Sequence, residues 1–95
     1  ISDFLKELED IIHDRRAASH ESSYTARLFD EGTAKIAQKV GEEAVETIIE
    51  ALGHNRERLL NETADLLFHL LVLLAATEVR LAEVEAVLRA RHTKS

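Results

Sequence analysis

From Leu66 to Ala76, ten of eleven residues are apolar, and the exception is His69. No Pro occurs anywhere in the chain, Gly occurs only at Gly32, Gly41 and Gly53, and no strand-like alternation interrupts the pattern. The run is therefore read as helix. A helix that is apolar all round must be covered all round. Ninety-five residues form one modest domain that buries a limited share of its surface. The expectation is an all-α fold in a single domain, residues 1–95: a small helical bundle of four main helices plus a short one. A homodimer or larger homo-oligomer, formed through the Leu66–Ala76 region, would complete its burial.

The first helix is expected over Asp3–Arg16, with Ser2 as its N-cap and Phe4, Leu5, Leu8, Ile11 and Ile12 on one face. Residues 17–23 have loop composition. Ser22 or Ser23 then caps a short helix, Tyr24–Asp30, that stops at Gly32. Thr33 is expected to cap a third helix running from Ala34 to Leu52, with Gly53 just past its end in the left-handed position. Asn55 caps a fourth helix, Arg56–Thr77, and a last one covers Leu81–Arg91.

Charge and cysteine content narrow the function. With no Cys there is no disulfide framework and no thiolate site, so any bound metal is held by oxygen or imidazole and is a hard cation. A formal net charge of −6 argues against bulk attraction to nucleic acid or to an anionic membrane. The charged, amphipathic opening ISDFLKELED is unlike a signal peptide. The longest apolar run is about half of a membrane span. A cytoplasmic protein with no membrane partner is expected.

The segment Lys39–Glu50, KVGEEAVETIIE, is the most informative. At about 100° per residue, Glu42, Glu43, Glu46 and Glu50 share one sector with Lys35 and Lys39. Ile36, Ala37, Val40, Ala44, Val45, Ile48 and Leu52 lie opposite. Gly41 sits mid-helix at a cost of about 1 kcal/mol against Ala, which a close helix or ligand approach would explain. Like charges one turn apart repel. In a partly dehydrated cleft two carboxylates about 5 Å apart repel by roughly 3 kcal/mol at an effective dielectric of about 20, and a divalent cation reverses that sign. In the next helix Glu62, Asp65 and His69 form one stripe that Arg58 continues. Flanked by leucines, Asp65 and His69 are expected to be partly buried. If the two helices are antiparallel, Glu43/Glu46 and Glu62/Asp65 face each other and make an oxygen-only site suited to Mg2+ or Mn2+. The plainer readings are a solvated acidic face, a hydrogen-bonded core histidine at His69, and packing roles for Tyr24 and Phe68.

The spacing Glu43-x-x-Glu46, fifteen residues, Glu62-x-x-Asp65 resembles the ExxE…ExxD signature of the MazG-like all-α nucleotide pyrophosphohydrolases. SYTARLF (Ser23–Phe29), KVGEEAVE (Lys39–Glu46), ADLLFHLLVLL (Ala64–Leu74) and LRARH (Leu88–His92) resemble the phosphoribosyl-ATP pyrophosphohydrolases. Phe68 stands where that family often has Tyr. The resemblance implies Mg2+-dependent hydrolysis of the α–β bond of phosphoribosyl-ATP to phosphoribosyl-AMP and pyrophosphate, a step of histidine biosynthesis. It implies Glu43, Glu46, Glu62 and Asp65 as metal ligands, with Glu42 holding a second ion or orienting the attacking water. Lys39, Lys35 and Arg27 are the candidates for the phosphates, and Tyr24 and His69 complete the substrate-binding set. A housecleaning nucleoside-triphosphate pyrophosphohydrolase with another base specificity shares the same signature, although SYTARLF favours the histidine pathway. A non-catalytic helical assembly module would show a continuous heptad, which the carboxylate stripes do not provide. A di-iron bundle needs Glu-x-x-His on two helices, and Leu66 stands three residues before His69.

Overall fold

The computed structural model describes residues 3–17 and 23–93. The expected caps Ser2 and Ser22, and most of the 17–23 loop, lie outside them. Among the described residues five helices follow in order: α1 (Asp3–Arg16), α2 (Tyr24–Glu31), α3 (Thr33–Leu52), α4 (Arg56–Ala76) and α5 (Leu81–His92). No strand occurs among the described residues. The expected all-α bundle, with α3 and α4 as its central pair, is what is observed.

The helix ends follow the capping chemistry in the sequence, with two shifts. The Ser23 hydroxyl accepts the Ala26 N–H at 3.0 Å and opens α2. The Asn55 side chain accepts the Arg58 N–H at 3.0 Å and opens α4. Thr33 is the first residue of α3 and not its cap. Gly32 ends α2, donating its N–H to the Leu28 and Phe29 carbonyls, and starts α3 by accepting from Ile36 N–H. One residue serves both helices because its φ of +100° turns the chain sharply, a conformation that favours glycine. At the other end of α3, Gly53 stays right-handed and closes on the Ile49 carbonyl at 2.9 Å. The left-handed residue expected there is His54, with φ +63°. The helical path simply runs one residue further before it reverses.

The core lies toward one end of the molecule. Ile12 of α1, Leu28 of α2, Ile36 of α3 and Leu71, Val72 and Ala75 of α4 are buried together. Leu8, Phe29, Phe68, Leu73 and Leu81 pack around them. Arg16 ties α1 to this end by donating to the Ala75 carbonyl at 2.9 Å. Glu9 is a buried carboxylate on α1 that accepts the Leu81 N–H at 2.6 Å and so caps α5 from outside that helix. The charge suits the positive end of a helix dipole, and Arg80 stands 3.9 Å away. Apart from this anchor α5 buries no residue.

Beyond the core, α3 and α4 continue as an antiparallel pair whose polarity is inverted. Val45, Ile48, Ile49 and Leu52 on α3 are 56%, 58%, 57% and 74% exposed, whereas the Glu43 and Glu50 side chains are only 16% and 20% exposed. Leu60, Leu67 and Leu70 of α4 are exposed as well. By length and composition α4 is apolar enough to cross a membrane, with a mean hydropathy of 1.6 over an 18-residue window. It nevertheless packs on α1, α2 and α3, and the polar stripe Glu62, Asp65, His69 runs along it.

Gly41 is not explained by close packing within the chain. It is exposed, and a Cβ built there meets nothing within 4 Å. Gly41→Ala is therefore expected to raise stability by about 1 kcal/mol, read as a higher urea midpoint at unchanged slope. A loss of stability would show that something else packs against that turn.

Candidate active site

The register of α3 against α4 follows from three pairs. Glu43 meets His69, Glu46 meets Glu62, and Glu50 meets Arg58, the last at 3.9 Å. Each step of one turn up α3 is a step of one turn or more down α4, as an antiparallel pair requires. This brings together the residues that the wheel placed on facing stripes. Glu46 stands beside Glu62, and Glu46, Asp65 and Glu43 add their charges to it. Glu43 in turn feels Asp65, His69 and Lys39.

His69 organises this region. It is buried, at 5% exposure, and Tyr24 and Phe68 flank its ring edge-on. Its Nδ1 lies 2.9 Å from the Asp65 carbonyl and 2.6 Å from Glu43 Oε1, and its Nε2 is 2.8 Å from the Tyr24 hydroxyl. The carbonyl takes the N–H direction. Glu43 Oε1 lies off that line, in ion-pair contact but buried without a hydrogen bond of its own. Asp65, expected to be partly buried, is exposed. It sits one turn nearer the open end of α4, beyond the reach of the α1–α2 layer.

The other candidates are more dispersed. Glu42 is exposed and accepts a hydrogen bond from Gln38 at 2.9 Å. Lys39 is half-buried and close enough to favour the charged form of Glu43. Lys35 and Arg27 are exposed, on α3 and α2 respectively. Among the described residues, no three histidine or carboxylate side chains converge on one point at metal-ligand distance as they stand. A cavity of about 300 Å3 opens at the α2–α3 junction beside Arg16, Phe29 and Thr33, and none of the carboxylates lines it. The Tyr24–His69–Glu43 chain was not foreseen as a unit. The i, i+4 spacing of Asp65 and His69 was visible, but no sequence signal links Tyr24 across 45 residues.

Electrostatics give the cluster its character. Burial raises the Glu43 carboxyl above its ordinary value of 4.5, and Asp65 adds to this, while His69 and Lys39 oppose it. Partial burial also raises Glu62, followed by the close approach and charge of Glu46 and the charges of Asp65 and Glu43. A raised folded-state value means that the native state binds protons more readily than the unfolded chain. For Glu62 the favourable contribution is complete below about 4.5 and is lost as pH rises through the raised value. In chelator, Glu62→Gln is therefore expected to match the parent protein in urea midpoint below pH 4.5 and to exceed it increasingly above. A variant advantage that is independent of pH would contradict this origin.

Comparison with known proteins agrees with the resemblance. The family model for phosphoribosyl-ATP pyrophosphohydrolase matches residues 5–92. The phosphoribosyl-ATP pyrophosphatase of Cereibacter sphaeroides is 53% identical over 91 residues, covering 96% of this chain and 88% of that protein. The histidine biosynthesis bifunctional protein of Shewanella oneidensis is 51% identical over 92 residues, and that of Escherichia coli O157:H7 is 51% identical over 89. The chain spans 44% of the length of each of these two.

Proposed function

The chain belongs to the phosphoribosyl-ATP pyrophosphohydrolase family, and from that premise we propose that it hydrolyses the α–β bond of phosphoribosyl-ATP, releasing pyrophosphate and phosphoribosyl-AMP in histidine biosynthesis. The observation that carries the reading is the carboxylate cluster between α3 and α4, in which Glu43, Glu46, Glu62 and Asp65 act on one another. A cluster of like charge held against its own repulsion is costly unless a cation answers it. The donor set fits a hard divalent ion. It is all oxygen, and Glu43 Oε1 is buried with a lone pair uncommitted. Glu43, Glu46, Glu62 and Asp65 would hold Mg2+, or Mn2+ in its place. The ion supplies charge neutralisation for a polyphosphate and polarisation of the reacting phosphoryl group.

The remaining chemistry belongs to side chains around the cluster. Lys39 neutralises phosphate oxygens from one turn before Glu42 and Glu43, and the exposed Lys35 and Arg27 extend the positive charge outward. Glu42, exposed and next in sequence to Glu43, would hold a second ion or orient the attacking water. Phosphoryl transfer asks for positioning and electrostatics more than covalent chemistry from the protein, and these residues provide both. Comparison of kcat/KM for phosphoribosyl-ATP, ATP and other nucleoside triphosphates tests the substrate. A preference for a common triphosphate would move the assignment to a housecleaning enzyme.

The chain is read as soluble and cytoplasmic, and its partner as a second copy of itself. The support is the inverted polarity of the α3–α4 pair. Glu43 and Glu50 turn inward while Val45, Ile48, Ile49 and Leu52 of α3 face out, and Leu60, Leu67 and Leu70 of α4 are exposed as well. Apolar exposure on this scale marks an interaction surface. Light scattering at micromolar concentration is expected to give at least twice the 10.7 kDa chain mass, and a stable monomer would contradict it.

A further inference from the structure

We infer that Tyr24 and His69 do not touch the substrate but act as positioning residues: Tyr24 hydrogen-bonds the His69 ring, and the ring, 2.6 Å from Glu43 Oε1, fixes the Glu43 carboxylate for its cation; this rests on the metal-site reading above. Both partners of His69 Nδ1, the Asp65 carbonyl at 2.9 Å and Glu43 Oε1 at 2.6 Å, are pure acceptors. Without a hydrogen on Nδ1, lone pairs would face each other on both sides. In the neutral ring the hydrogen therefore sits on Nδ1, and Nε2 is left as an acceptor. The Tyr24 hydroxyl, 2.8 Å from Nε2, donates to it and locks that tautomer. The imidazole is thus held at both nitrogens and edge-on against two aromatic rings.

The consequence falls on Glu43. Its Oε1 lies 2.6 Å from Nδ1 of the buried ring, and that contact sets the rotamer of the side chain. Outer partners of this kind orient metal-binding groups, and their loss typically costs about 10–100-fold in metal affinity. His69 is too deeply buried to reach a nucleotide. Tyr24 belongs to α2, the helix that the SYTARLF segment opens, so the relay links a segment remote in sequence to the carboxylates.

The test is Mn2+ binding to the metal-free full chain, followed by electron paramagnetic resonance, with steady-state kinetics alongside. Tyr24→Phe keeps the ring packing and removes only the donor. It is expected to weaken Mn2+ about tenfold and to raise the metal requirement for turnover, while KM for the nucleotide at saturating metal stays unchanged. His69→Asn places an amide donor near the Nδ1 position and is expected to retain more Mn2+ affinity than His69→Gln. In the His69→Asn background, where there is no tautomer to fix, Tyr24→Phe is expected to have no further effect. Unchanged Mn2+ affinity in Tyr24→Phe with a raised nucleotide KM would overturn the relay and return Tyr24 to the substrate. Equal losses in His69→Asn and His69→Gln would overturn it in favour of packing alone. Failure of the unmodified chain to bind Mn2+ would instead strike the metal site itself, which separates the two failures.

Discussion

Glu46→Gln and Asp65→Asn are each expected to lower turnover at limiting Mg2+ by about a hundredfold or more, the upper end of what removing even an outer partner of a metal costs. Neither change should unfold the metal-free protein. Glu46 faces Glu62 across the α3–α4 seam, and Asp65 adds its charge to Glu43 and Glu62. Replacing either carboxylate with a neutral amide of the same shape relieves repulsion. Thermal melting in chelator should therefore stay level or rise while activity falls. That opposition separates a functional cluster from a structural one, because a residue kept for stability would lose both together. Near-normal turnover of both variants at low Mg2+ would show the ligand assignment to be wrong.

The largest expected effect on stability is at Ile36. It is fully buried where α1, α2, α3 and α4 meet, in contact with the cluster formed by Ile12, Leu28, Leu71, Val72 and Ala75. Ile36→Ala removes three carbons from a site enclosed on all sides, and such changes cost about 2–5 kcal/mol. The total stability of a small domain is roughly 5–15 kcal/mol. A melting temperature lowered by more than about 10 °C is expected, measured by calorimetry. A shift of only a degree or two would mean that this junction does not hold the bundle together.

The helices were legible because nothing in the chain competes with them. No Pro breaks the periodicity, and Ser23 and Asn55 are side-chain caps whose geometry the sequence implies. The facing carboxylates were legible for a related reason: a helical wheel fixes which residues share a stripe, and a short α3–α4 connection forces the two stripes to be antiparallel. A wheel does not say which stripe the rest of the fold covers. The apolar side of α3 is buried at Ile36 but exposed from Val45 to Leu52, because α1 and α2 reach only the first turns. Asp65 is exposed for the same reason, whereas His69, one turn closer to the core, is buried. Cap positions moved by a residue at Gly32 and Gly53, where the backbone could reverse at either of two neighbours. The Tyr24–His69 contact depends on how α2 crosses α4, which no local pattern encodes.

Phosphorus NMR of the products of phosphoribosyl-ATP with Mg2+ tests the central claim most directly. The proposed reaction is a metal-assisted attack on a phosphoanhydride at the facing carboxylates of two helices, with the bond that breaks taken from the family. Pyrophosphate and a nucleoside monophosphate are expected as the initial products, in equal amounts and dependent on the divalent ion. Inorganic phosphate with a diphosphate nucleotide as the first products would contradict the account, even with the metal site intact.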